Sequence, residues 1–148
     1  MKSKIIGNIE PHKFDPDLYF AQNIEIPYFD NKKVNIGIAA ANCSDTLIEA
    51  DSVLKKFMTL DINDRNRHSK LLIDYYETCV KFGIAEKIDL RNPTEIWNYV
   101  TPTEIIVDSE MHAGFYIMIS CECQWEPEHG LQLEFRNGDE LVRASGHE

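Results

Sequence analysis

The sequence predicts an α+β fold: an N-terminal hairpin, three helices, then a mostly antiparallel C-terminal sheet with the helices on one face. Three observations carry this expectation. Apolar residues alternate over 24–39, recur at helical spacing between 46 and 100, and alternate again from 104 to 143. Strand-like runs are segregated from helix-like ones, which is the α+β pattern. An Asn137-Gly138 pair between two alternating runs is the strongest hairpin signal in the chain.

In order, Ile24 and Ile26 alternate with Glu25, Asp30 to Lys33 is turn-like, and Val34, Ile36 and Ile38 continue the alternation. Thr46 and Glu49 have capping-box spacing, and Leu47, Ala50, Leu54, Phe57 and Met58 fall on one helical face behind them. After a polar stretch from Asp61 to Arg67, a second helix runs through Leu72, Tyr75, Tyr76, Cys79 and Phe82, with Gly83 as its C′ residue. Asn92 and Pro93 open a third, short helix that ends before Pro102, with Trp97 and Val100 as anchors. Glu104 to Val107 reads as a short strand and Phe115 to Trp125 as a long one. Leu131 to Phe135 and Glu140 to Arg143 read as the closing hairpin.

A chain of 148 residues suits one domain with a single core, and 43% hydrophobic residues with 10% aromatics suit a globular one. Lys and Arg number 15 against 25 Asp and Glu, a formal charge of -10. That sign argues against nucleic acid and anionic membrane surfaces as partners, since both reward a basic footprint. No apolar run approaches the ~18 residues of a membrane span, and the first residues lack a signal-peptide core. Four cysteines in this length do not make a disulfide scaffold, so a cytoplasmic setting is expected.

Three groups of residues invite chemistry. Cys121-Glu122-Cys123, with His112 and His129, offers thiolates and imidazoles to a metal. Both cysteines, however, continue the parity of Phe115, Ile117 and Ile119, so core packing is the better account and no metal or other cofactor is expected. Cys43 precedes a helix start, where a thiolate is favoured, but no family signature surrounds it; a loop cysteine tucked under the sheet is preferred. Glu126-Pro127-Glu128-His129-Gly130 gathers two carboxylates and an imidazole in one connection. It reads as a turn pinned by Pro, Gly and a local histidine bond, with a possible ligand role for Glu126, Glu128 and His129. No catalytic residue is assigned.

The negative charge is unevenly placed. From Glu104 onward ten acids face only Arg136 and Arg143, whereas the preceding 103 residues hold fifteen acids and thirteen bases. With a turn centred near Glu128, Glu122 would lie opposite Glu134 and Gln124 opposite Gln132. Like charges so placed repel by ~0.2–1 kcal/mol. Beside them, Tyr116 and Met118 supply apolar anchors. The six residues Tyr116, Met118, Glu122, Gln124, Gln132 and Glu134 form the candidate partner-binding face, to which a basic protein would be steered. The same charges would equally serve as a solvated face that keeps the protein soluble.

Trp125-Glu126-Pro127-Glu128-His129-Gly130-Leu131, followed by Leu133, Phe135 and the Asn137-Gly138 turn, resembles a group of small bacterial domains of largely unknown function with a C-terminal W-x-x-E-H-G-L signature. Pro102 to Val107 and Glu95-Ile96-Trp97 are similar to that group too. Such domains are similar in size and layout to immunity proteins of bacterial toxin systems. The resemblance implies a cytoplasmic bacterial protein that binds and neutralises a cognate toxin, without catalytic residues; the acidic sheet surface makes a basic toxin domain the expected partner. Two other readings stand beside it: a small hydrolase or metal-binding enzyme using the Glu126-Glu128-His129 turn, and an oligomerising module using a sheet edge.

Overall fold

The computed structural model describes residues 1–109 and 114–146. His112 and Glu110, like His147 and Glu148, lie outside the described residues. The chain is α+β, with a two-stranded N-terminal hairpin, β1 (Lys2–Ser3) and β2 (Gly7–Asn8), and a seven-stranded sheet. The sheet contains β3 (Glu10–Pro11), β4 (Leu18–Ile26), β5 (Lys32–Ala39), β6 (Val100–Asp108), β7 (Tyr116–Cys123), β8 (Leu131–Arg136) and β9 (Glu140–Ser145), in chain order across the sheet. Every pairing is antiparallel except β5 with β6. A parallel pair needs a long crossover, and this one contains all three α-helices: α1 (Ser44–Phe57), α2 (Ile62–Arg67) and α3 (Ser69–Lys81).

The helices pack on one sheet face. Ile36, Ile38, Ile105, Val107, Ile117, Ile119, Leu133 and Phe135 alternate along their strands, at most 1% exposed. They share one cluster with Ala50, Leu54 and Phe57 of α1 and with Leu72, Tyr76 and Cys79 of α3. Burying a side chain of this size is worth roughly 1.5–3 kcal/mol, which fixes the strand parity the sequence predicts.

The expected helix faces hold, with three corrections. α1 begins at Ser44 with Cys43 as N-cap and no side-chain cap, so Thr46 and Glu49 do not form a capping box. The box belongs to α2, inside the stretch expected to be merely polar. Asp61 accepts from the amides of Asn63 (2.9 Å) and Asp64 (3.2 Å), and the Asp64 carboxylate accepts from the Asp61 amide at 3.0 Å. Phe82 leaves the α3 stripe and is 69% exposed. It stands where the helix unwinds: Gly83 N–H bonds to the Val80 carbonyl and Ile84 N–H to the Cys79 carbonyl, a Schellman ending. The third helix is a 3-10 segment, Pro93–Tyr99, capped by Asn92, whose side-chain Oδ1 accepts from the Thr94 amide at 3.0 Å.

Most strands are longer than their alternation suggested, while β7 is shorter than the expected Phe115 to Trp125. β4 starts at Leu18, and β6 runs back through Pro102, which sits at a bulge before Glu104. A bulge is where an interior strand tolerates proline. Between β4 and β5 the chain makes a 3-10 turn, Pro27–Phe29, that turns Tyr28 and Phe29 inward. Tyr28 is fully buried, edge-on to Trp97 and Phe135, with its hydroxyl 3.0 Å from His68 Nδ1. At the N-terminal hairpin, buried Asp51 of α1 accepts from Ser3 Oγ (2.5 Å) and the Lys4 amide (3.1 Å).

Candidate functional site

The second sheet face lies opposite the helical core. One residue from each strand forms a continuous cross-strand row: Glu10, Phe20, Gly37, Ile106, Met118, Glu134 and Arg143. Phe20 and Ile106 are half-exposed, and Glu10 and Arg143 are exposed. Gly37 leaves a furrow that Leu18 fills, since a Cβ there would meet Leu18 Cδ1 at 2.8 Å. The neighbouring rows are polar: Asn35, Glu104, Ser120, Gln132 and Ser145 on one side, and Asp108, Tyr116, Arg136 and Glu140 on the other.

This register corrects the expected charge pairing. Met118, not Glu122, stands opposite Glu134, and Ser120, not Gln124, stands opposite Gln132. The connection is centred on Glu126, because β8 leaves β7 after the Cys121–Leu131 pair while Glu122 and Cys123 continue against β6 alone. No Glu122–Glu134 repulsion follows. Glu134 is 6% exposed, accepts from Gln132 Nε2 at 3.2 Å and lies 3.9 Å from Arg143 Nη1. Tyr116 and Met118 are nearly covered, with the Tyr116 hydroxyl accepting from Arg136 Nε at 3.2 Å. Of the six candidate residues, Tyr116, Met118, Gln132 and Glu134 thus lie together over β7 and β8. Glu122 and Gln124 are exposed at the sheet end beyond β8. Phe20, Ile106 and Glu104 were missed; the continuous apolar run Leu18-Tyr19-Phe20-Ala21, strand-sized between polar neighbours, is the signal that could have found the first.

The 126–130 turn is built around one carboxylate. Glu126 is 4% exposed, and its Oε1 accepts from the amides of Glu128 (3.1 Å) and His129 (3.2 Å), while Oε2 lies 3.3 Å from His129 Nδ1. Burial works to raise the Glu126 pKa, but the donors from His129 and Glu128 prevail and hold it below the ordinary carboxylate range. Gly130 adopts φ +64, and a Cβ there would press on the Cys121 carbonyl at 2.7 Å. Tyr75 closes the turn by donating to the Gly130 carbonyl at 2.9 Å. Buried Trp125 stacks at an angle on Tyr75 and Tyr76.

Donor atoms of Glu126, Glu128 and His129 lie within 4.8 Å of one another, a spacing that could hold a cation. Both Glu126 oxygens already face the turn's own donors, so a metal would have to displace them. Cys121 and Cys123 belong to the core: burial raises both thiols, Cys123 to about 12, away from the thiolate a metal needs. Cys43 corrects its expectation, being exposed rather than tucked under the sheet. Its pKa is lowered, first by the Thr46 hydroxyl and then by the amides of Thr46 and Asp45.

The fold and site define an α+β domain with one helix-covered sheet face, one open face, and a carboxylate-capped turn at the sheet end. Residues 5–148 match the model of a domain of unknown function, DUF6985, and the chain belongs to that family. No curated protein and no solved structure matches it. Among the described residues no helix is long and apolar enough to cross a membrane.

Proposed function

We propose that the chain is a non-enzymatic binding protein of the immunity-inhibitor kind, which engages a basic partner domain through the open face of its sheet. The carrying observation is half-exposed Phe20 and Ile106, in a row that runs on to nearly covered Met118, with exposed Glu104 in the next row and exposed Glu122 at the sheet end. An apolar strip with a charged rim is the anatomy of a protein interface. The face's two arginines have partners of their own, Tyr116 for Arg136 and Glu134 for Arg143. Exposed Glu104 and Glu122 are the acids this reading offers to an approaching basic surface, beside the exposed Arg136 and Arg143. Toxins that act on anionic substrates present such a surface, and steering towards it speeds capture.

Affinity capture from the native host's lysate, at low and high salt, tests this. The expected result is one basic protein in near-stoichiometric amount, weakened by salt and lost with Glu104→Lys/Glu122→Lys in a folded chain. Capture unchanged by the charge reversal and by salt overturns the proposal.

The second reading, a hydrolase or metal-binding enzyme at the 126–130 turn, draws on the proximity of Glu126, Glu128 and His129. Stoichiometric metal in the purified protein, lost with His129→Ala in a folded chain, would favour it over the first.

A further inference from the structure

Beyond β8, where Glu122 and Gln124 stand exposed, the open face runs into a groove. Two shallow depressions of about 380 and about 320 Å³ adjoin there, sharing Tyr99, Gln124 and Pro127. One wall is the loop that follows α3, where Ile84 is 55% exposed. The groove's other lining comes from the start of β6 and the end of β7, with Thr101 and Glu122. The loop is held at fixed height, because the Ile88 amide donates to the Tyr76 hydroxyl at 2.5 Å and the Schellman ending of α3 sets its start. The groove is thus a standing feature of the fold.

Its chemistry is that of a mixed trough, in which apolar and polar groups share the lining about equally, with acidic walls. Ile84, Tyr99 and Pro127 supply the trough, exposed Glu86 and Glu122 the walls, and exposed Glu128 stands on the adjoining turn. Lys87 is the one base among the described lining residues. Long basic side chains match both parts, since their methylene stems cover apolar surface while the charged head reaches an acid.

We propose that this groove takes an extended Lys- or Arg-containing segment of the partner. This rests on the binding-protein reading and places a second contact beside the open face. Glu122 belongs to both surfaces, so a partner docked on the face delivers its chain directly into the groove.

The probe is a short capped peptide alternating Lys, Arg and Leu, titrated into the ¹⁵N-labelled protein, with a Glu-for-Lys/Arg peptide as control. Amide shifts are expected at 84–88, 99–101 and 122–124, with the control silent and affinity falling as salt shortens the screening length. Glu86→Lys should weaken the peptide by at least about ten-fold while the far-UV spectrum is unchanged. Shifts elsewhere on the surface, or an affinity indifferent to Glu86→Lys, overturn the groove. The two proposals fail separately. Partner capture lost with Glu104→Lys but intact with Glu86→Lys keeps the face and removes the groove. Peptide binding abolished by Glu86→Lys, with an empty lysate capture, supports the groove and removes the face.

Discussion

Gly138, at the tip of the β8–β9 hairpin, lies against the carbonyl of Val53 on α1, so close that a Cβ on the glycine would fall 2.2 Å from that oxygen. The hairpin tip is thereby docked on the helical layer, and Gly138 is held at φ +93 beside Asn137 at φ +54. Gly138→Ala meets both the backbone strain and the clash, and should destabilise the protein by about 1–3 kcal/mol. A urea midpoint indistinguishable from the parent protein's would show that the tip does not bear on α1.

Glu126→Gln should cost about 1–2 kcal/mol near neutrality, the difference between a charged and a neutral acceptor for the turn's donors. The pH dependence follows from the lowered carboxyl. In the unfolded chain this group protonates near pH 4.5, and in the folded chain only below that. Its contribution is complete above about pH 4.5 and is lost as pH falls through the folded value. Urea unfolding of both proteins from neutral pH to pH 3 should show the gap closing with acid. A gap that stays constant refutes the role.

His68 gives the opposite residue type with the same slope. Burial holds its imidazole below the ordinary 6.5, against the pull of Asp64. Below pH 6.5 the unfolded chain takes up a proton that the folded one resists, so stability declines as pH falls towards the folded value and levels off beneath it. His68→Gln should remove this decline between neutrality and pH 5. Tyr28→Phe, which deletes the hydroxyl bonded to His68, should cost about 1 kcal/mol. Denaturant curves at several pH values check both.

Cys43 should be the first thiol to react. It is exposed and its pKa is lowered, whereas Cys79, Cys121 and Cys123 are buried with raised values. Brief treatment of the native protein with iodoacetamide at neutral pH should give a single adduct by mass spectrometry, mapped to Cys43. Adducts spread over the other three would mean that the core opens readily.

What was legible in the sequence is what burial dictates residue by residue. Ile117, Ile119 and Cys121 had to share a face, and Asn137-Gly138 had to turn, because few alternatives satisfy either constraint. The β7–β8 register was not legible. It depended on Trp125 leaving the strand for the core and on Glu126 folding the chain back, and neither is a periodic signal. α2 was missed because it buries no residue, so no apolar stripe marks it, and its Asp61–Asp64 box lacks the usual Ser or Thr and Glu. Tyr28 was missed because a turn seldom carries a buried aromatic. The open face could be anticipated only in part, since its members sit on strands that meet in space through one parallel joint.

That joint also governs assembly in time. Ile36 meets Ile105 across the entire helical section, whereas β3 to β5 and β6 to β9 are each built from neighbouring strands. Closing so long a loop carries the largest entropic cost of any strand pairing in the sheet, and the reward arrives only once the intervening helices have collapsed onto both halves. The two meanders are therefore the early structures, and the seam between β5 and β6 is the late one. The row from Phe20 through Gly37 and Ile106 to Met118 crosses that seam, so the strip proposed above as a docking face comes into being only at the final act of folding, and a chain halted before it lacks that strip.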